Sequence, residues 1–153
     1  MHDKILEREE TTIPKVSGKV GEYTYEILDL HDMYGLTVGN RTNCCFTVNG
    51  VSYSSLKHAC TSKNGRILVI KKDDELIAHS WLWRNGNLLC LDNIEVNKGI
   101  EKIDFFDVYL DFVDKVINKS LETEEEAITN ITIGHNKFDK PIVGIENYVS
   151  LVR

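Results

Sequence analysis

The sequence predicts a mixed α/β domain of the α+β type, built on a central, mostly antiparallel sheet. Three observations predict it. The run Ile67-Leu68-Val69-Ile70 is continuously apolar, as in a strand covered on both faces. Turn signals at Asp73-Asp74 and Asn85-Gly86 join that run to two more, Leu76 to Arg84 and Leu88 to Val96, which makes a three-strand meander. Apolar residues then recur at helical spacing from Glu101 to Lys119, and a further strand pattern, Ile128 to Ile133, comes after them.

The chain of 153 residues is the size of one domain, able to bury roughly 68–70% of its unfolded surface. Residues 1–18 read as a peripheral segment and 19–153 as a single domain. In the first segment Lys4 to Glu10 suits a short charged helix, and Thr11, Thr12, Pro14, Ser17 and Gly18 break the pattern. The first strand is Tyr23 to Leu28, with Tyr23, Tyr25 and Ile27 on one face and Thr24, Glu26 and Leu28 on the other. Asp29 is placed to cap a brief helical turn through Met33 that Gly35 ends, and Leu36 to Asn43 continues as a loop or extended piece. A short helix from Leu56 to Ser62 has Ser54 or Ser55 as its cap and Asn64-Gly65 as its stop. On the long helix Ile103, Phe106, Leu110, Val113 and Ile117 form an apolar stripe that Phe105, Tyr109, Phe112 and Val116 widen. Asp104, Asp107, Asp111 and Asp114 line its other side as a solvated face. Beyond the fifth strand the signals are Pro141 and an apolar tail at Tyr148, Val149, Leu151 and Val152.

Composition narrows the function classes. Eighteen Lys+Arg against 24 Asp+Glu give a net charge of −6, without the basic cluster that phosphate-backbone binding needs, so nucleic acid is not an expected partner. No apolar run approaches the ~20 residues that span a bilayer, and Met1-His2-Asp3-Lys4 does not open a signal peptide. A cytoplasmic protein without a membrane partner is the expectation. The cysteines Cys44, Cys45, Cys60 and Cys90 then read as reduced and buried. The other reading is zinc held by Cys44 or Cys45 with His58 and Cys60. Adjacent cysteines and then His-x-Cys match none of the paired spacings of structural zinc, and no metal is expected.

A two-residue turn at Asn85-Gly86 would pair Arg84 with Asn87 and set Trp83 opposite Leu88, Trp81 opposite Cys90 and His79 opposite Asp92. Such a His79–Asp92 pair can act as a general base, or it can be a satisfied core pair beneath Trp81 and Trp83. Glu95 has a separate claim. It stands at the carboxyl end of a central strand, just before the loop into the long helix, where open sheets place ligands, and it could deprotonate an amine there. His135, just past the fifth strand, lies near the same crevice in topology.

The order strand, strand, strand, long helix, strand over Ile67 to Ile133 resembles the central part of the GCN5-related N-acetyltransferase fold. The string Leu89-Cys90-Leu91-Asp92-Asn93-Ile94-Glu95-Val96 looks like that family's fourth strand and acyl-CoA motif. Thr42-Asn43-Cys44-Cys45, Ser80-Trp81-Leu82-Trp83-Arg84 and Asp92-Asn93-Ile94-Glu95 also look like strings in phage and bacterial modules to which no activity is attached. The resemblance implies that the fourth and fifth strands splay, so that pantetheine bonds backbone groups near Val96. The loop Asn97, Lys98, Gly99 and Ile100 would then turn amides toward the pyrophosphate of acetyl-CoA. It further implies Glu95 as general base and, by position, Tyr148 as the acid for the leaving thiolate, with a small-molecule or protein amine as acceptor. The chain departs from the family where the pyrophosphate loop carries glycines: Glu101-Lys102-Ile103-Asp104-Phe105-Phe106 has none, and Glu101 and Asp104 repel a diphosphate. An inactive binding or regulatory module of the same fold, with a protein partner, is the alternative. Phe105 or Phe106 filling the hollow beside Val96 would leave only that alternative.

Overall fold

The longest strand, Glu75–Asn85, is buried along almost its whole length because it runs through the middle of the sheet with both faces covered. The computed structural model describes residues 11–42, 47–48, 50, 53–92, 94–97, 99–101, 105–133 and 142–143. Its strands are β1 (Ser17–Val20), β2 (Tyr23–Ile27), β3 (Gly65–Lys72), β4 (Glu75–Asn85), β5 (Leu88–Leu91), β6 (Glu95–Val96), β7 (Asn130–Ile133) and β8 (Ile142–Val143). They lie in the order β1-β2-β3-β4-β5-β7-β8, with β6 beside β4. Every pairing is antiparallel except that of β5 with β7. A 3₁₀ turn, Met33–Thr37, runs into α1 (Val38–Thr42); α2 (Tyr53–Thr61) and α3 (Phe106–Ser120) complete the helices. The fold class is the expected one: a meander, a long helix, then a strand returning parallel to the last strand of the meander.

Turn chemistry explains the hairpins. Asp73 and Asp74 both take positive φ, 52° and 65°, as a type I′ turn requires between Lys72 and Glu75. Gly86 (φ 62°) stands first in its turn, so Asn85 closes on Leu88, and Gly86-Asn87 is the central pair instead of Asn85-Gly86. The expected register is thus corrected by two residues: Trp83 faces Cys90 and Arg84 faces Leu89.

The two faces bury separate cores. On one, α3 lays Phe105, Tyr109 and Phe112 over Tyr25, Leu68, Ile70, Leu82 and Leu89. Each such large side chain contributes roughly 1.5–3 kcal/mol by leaving water. The Tyr109 hydroxyl meets that of Ser80 at 2.5 Å, and the Tyr25 hydroxyl donates to Asp111 at 2.6 Å. Burial first, and then the Asp111 carboxylate, push the Tyr25 phenol up, and the Tyr25 bond holds Asp111 down. Of the expected acidic face, Asp107 and Asp114 are exposed, Asp111 is engaged, and Asp104 lies outside the described residues.

On the other face Val38, Leu56 and Cys60 cover Val69, Trp81, Trp83 and Cys90. Trp81 Nε1 donates to His58 Nδ1 (3.2 Å), so His58 Nε2 carries the proton it gives to Asn64 Oδ1 (2.9 Å), and Asn64 Nδ2 donates to the Arg84 carbonyl (3.1 Å). Both tryptophans are core, as expected.

Three expectations change here. Gly35 does not stop a helix; it is buried within a 3₁₀ turn capped by Asp32, whose carboxylate accepts from Tyr34 N–H (2.9 Å). A Cβ at Gly35 would stand 3.0 Å from Cys60 Sγ and 3.2 Å from Ile67 Cδ1, so glycine serves close packing, and helix continues through Thr42 where a loop was expected. The helix expected from Leu56 starts at Tyr53. In the described part of the first segment Ile13 and Val16 pack into the α3-side core, and Ser17 opens β1. The charged helix expected over Lys4 to Glu10 lies outside the described residues.

Arg84 holds that segment in place. The side chain is fully buried, and its guanidinium donates to the carbonyls of Gly86 (2.8 Å), Thr12 (2.6 Å) and Glu126, with the Glu125 carboxylate at 3.5 Å. Glu125 in turn accepts from Thr12 N–H and Thr12 Oγ1, each at 2.9 Å. A buried charge is tolerated when its whole donor fork is engaged, and removing such a partner leaves the remainder uncompensated. Arg84→Ala is therefore expected to cost about 3–5 kcal/mol. Glu125→Gln, at a carboxylate one-third exposed, should cost below about 1 kcal/mol. Urea midpoints of the two variants check the contrast, and equal losses would contradict it.

Candidate active site

The site begins with a miscount between two neighbouring strands. Leu82 faces Leu91, and Asp92 N–H still donates to the Trp81 carbonyl (2.9 Å), yet His79 faces Glu95 and Ala78 faces Val96. From Asp92 to Glu95 is one residue more than from Trp81 to His79, which is a β-bulge. Because side chains alternate, the extra residue reverses the faces beyond it. Ile94 enters the α3-side core, and Glu95 turns to the face of His79 and Trp81. Directly opposed residues stand about 4.5–5.5 Å apart at Cβ, so the register sets His79 beside Glu95. The expected pairing of His79 with Asp92 is corrected: Asp92, half-buried, faces Trp81.

His79 is 1% exposed, and burial pushes its pKa down to about 4. Thr42, the last residue of α1, reaches it: Thr42 Oγ1 lies 2.7 Å from His79 Nε2 and donates to the Val38 carbonyl at 2.9 Å. Glu95 and Val96 are half-buried. Thr42 was not among the expected site residues because its stretch read as a loop. A threonine closing a turn of helix, bonded four residues back, was the available signal.

Among the described residues the parallel pairing of β5 with β7 reaches Leu91 and Ile133, and β6 has a strand partner only in β4. An extended arm bearing amides could add along such an edge. The next turn offers less. Asn97 N–H donates to the Ile77 carbonyl (2.9 Å), Ile100 N–H to the Asn97 carbonyl (3.2 Å), and Asn97 Nδ2 to the Leu76 carbonyl (2.9 Å). Gly99 is exposed with φ 88°. Phe105 packs edge-on against Tyr23 of β2, ring centroids 5.4 Å apart, and joins the α3-side core. Of the other expected site residues, Lys98, Tyr148 and His135 lie outside the described residues, as do Asn93, Lys102, Cys44 and Cys45.

Cys60 and Cys90 are buried, and burial, with Asp32 adding, pushes the Cys60 thiol up. Both ring nitrogens of His58 are engaged. Among the described residues no three His, Cys, Asp or Glu side chains gather as metal ligands, and no helix is long and apolar enough to cross a membrane.

No family model matches this chain, and no curated protein matches it. Among solved structures it is similar to a probable acetyltransferase from Staphylococcus epidermidis ATCC 12228, at 17% identity over 72% of each chain and a TM-score of 0.48. It is also similar to a probable acetyltransferase of the GNAT family from Chromobacterium violaceum ATCC 12472. There the identity is 9% over 79% of this chain and 72% of that one, with a TM-score of 0.47.

Because His79 is held neutral in the fold, protonation favours the unfolded chain once pH falls below the ordinary histidine value of about 6.5. Stability should fall by about 3 kcal/mol between pH 6.5 and 4 and then level for this group. His79→Gln should flatten that part of the curve, measured by urea unfolding at each pH. Parallel curves for the two proteins would assign the loss to other groups.

Proposed function

We propose that this chain is an N-acyltransferase of the GCN5-related type, moving an acetyl group from acetyl-CoA to an amine of a small molecule or protein. The observation that supports it best is the bulge, which brings Glu95 beside His79 at the tip where β6 leaves the parallel β5–β7 pair. Glu95 is half-buried, open enough to exchange a proton with water, and its carboxylate takes the proton of the incoming ammonium or amine. Backbone amides near Val96 would stabilise the oxyanion that develops on the acyl carbonyl. The edge of β6 fits the pantetheine arm, and Asn97 Oδ1, buried without a partner among the described residues, is an acceptor suited to one of its amide N–H groups. Acetyl-CoA, when bound, supplies the activated thioester.

The alternative, an inactive binding or regulatory module with a protein partner, is favoured by the turn after β6. The amides of Asn97 and Ile100 are already engaged, and Glu101 stands exposed close by. Diphosphate recognition would fall to Gly99 and the residues C-terminal to Ile100.

Acetyl-CoA titration separates the two. Binding to the folded state raises stability by about 2.7 kcal/mol at a hundredfold excess over Kd, seen as a rising Tm. Thiol release with a panel of primary amines should then fall by roughly 10²–10⁴-fold in Glu95→Gln while the Tm shift remains. A Tm indifferent to millimolar acetyl-CoA leaves the inactive module.

A further inference from the structure

The hydrogen bonds at the end of α1 determine more than the position of His79. A threonine hydroxyl has one proton. In Thr42 that proton goes to the Val38 carbonyl at 2.9 Å, the usual back-bond of a threonine to the residue four before it. The 2.7 Å contact from Thr42 Oγ1 to His79 Nε2 can then be made only with the nitrogen donating and the hydroxyl oxygen accepting. The ring is buried and neutral at physiological pH, so it holds a single proton. With that proton on Nε2, Nδ1 is the nitrogen with the lone pair.

We infer that Thr42 is a positioning residue that fixes His79 in its Nε2–H tautomer, so that His79 accepts hydrogen bonds at Nδ1 on the sheet face it shares with Glu95. The relay is directional: His79 Nε2–H to Thr42 Oγ1, Thr42 Oγ1–H to the Val38 carbonyl. Its far end is a main-chain carbonyl, which cannot reverse to become a donor, so the orientation is set by the helix itself. Glu95, the charged group that the register sets opposite, is likewise an acceptor when ionised. Of the two, His79 Nδ1 is the enclosed acceptor and Glu95 the half-buried one. A group rich in N–H donors, a primary amine or ammonium, suits such a carboxylate better than a hydroxyl with one. This consequence for the acceptor substrate rests on the acyltransferase reading; the tautomer does not.

Two-bond proton–nitrogen correlation spectra of the ¹⁵N-histidine-labelled protein at neutral pH test it, with His79→Gln identifying the His79 signals. The expected result is a bare Nδ1 and a protonated Nε2. Thr42→Ser should preserve that pattern. Thr42→Val keeps the shape of the side chain and removes the acceptor, and it should shift the tautomer balance by about tenfold or more, the order of one lost buried hydrogen bond. A wild-type His79 protonated at Nδ1 would overturn the inference, as would an unchanged tautomer in a folded Thr42→Val. If Thr42→Val does not fold, the wild-type spectrum decides alone. Where transfer is present, its pH profile should move in Thr42→Val and be restored in Thr42→Ser. Absence of transfer in the wild type, with the Nε2–H pattern intact, removes the acyltransferase reading and leaves the tautomer standing.

Discussion

A single extra residue between β5 and β6 is the constraint on which the site depends. Without it, alternation would carry Glu95 to the face of Leu89 and Leu91, into the apolar layer beneath α3. An ionised carboxylate there would have neither water nor partner, a placement worth several kcal/mol against folding. With it, Ile94 takes the apolar place, and Glu95 turns toward His79 at the rim of the sheet. The bulge therefore satisfies the core and builds the site in one step. Among the described residues the β5–β7 ladder reaches Leu91, just before that bulge, and goes no further.

Much of the fold is legible in the sequence because hydrophobic period and turn chemistry agree. The apolar run at Ile67 to Ile70, the aspartate turn and the apolar stripe of α3 each name their element and its buried face. The hairpin register is a subtler case. Placing Asn85-Gly86 or Gly86-Asn87 at the turn differs by a slip of two, and a slip of two keeps every side chain on its own face. Trp81, Trp83 and Cys90 are thus assigned to one side correctly under either register, while their opposite numbers change. Periodicity cannot distinguish such registers; the turn itself does, where Gly86 takes the positive φ in first position and its carbonyl receives Arg84 Nε.

The sequence offers Glu95 as a candidate from its place at the strand end, and His79 from its chemistry. Their adjacency is not legible there, because it needs both the slip and the bulge. Thr42 was hidden for another reason. Its contact with His79 spans 37 positions and runs through α1, a helix concealed by a glycine that ordinarily signals a stop. At Gly35 a Cβ would crowd Cys60 and Ile67, a fact of packing between distant segments that no local pattern records. The same holds for Ile13, Val16 and Arg84. Thr11, Thr12, Pro14, Ser17 and Gly18 made residues 11–18 look peripheral, yet a buried guanidinium joins that stretch to the loop after α3.

The surroundings of His79 and Glu95 divide their chemistry. His79 is enclosed, neutral, and held at Nε2 by a hydroxyl whose own proton is engaged, so it can orient a neighbour but gains a proton only at a large desolvation cost. Glu95 is half-buried, on a strand whose one partner among the described residues is β4, so on the proposed reading it is the more open of the two to water. A base that must be reset each cycle belongs at the wetter position, and an orienting acceptor at the drier one. That division comes from the bulge and from α1 together: the bulge sets Glu95 opposite His79, and α1 supplies the hydroxyl that meets the enclosed ring.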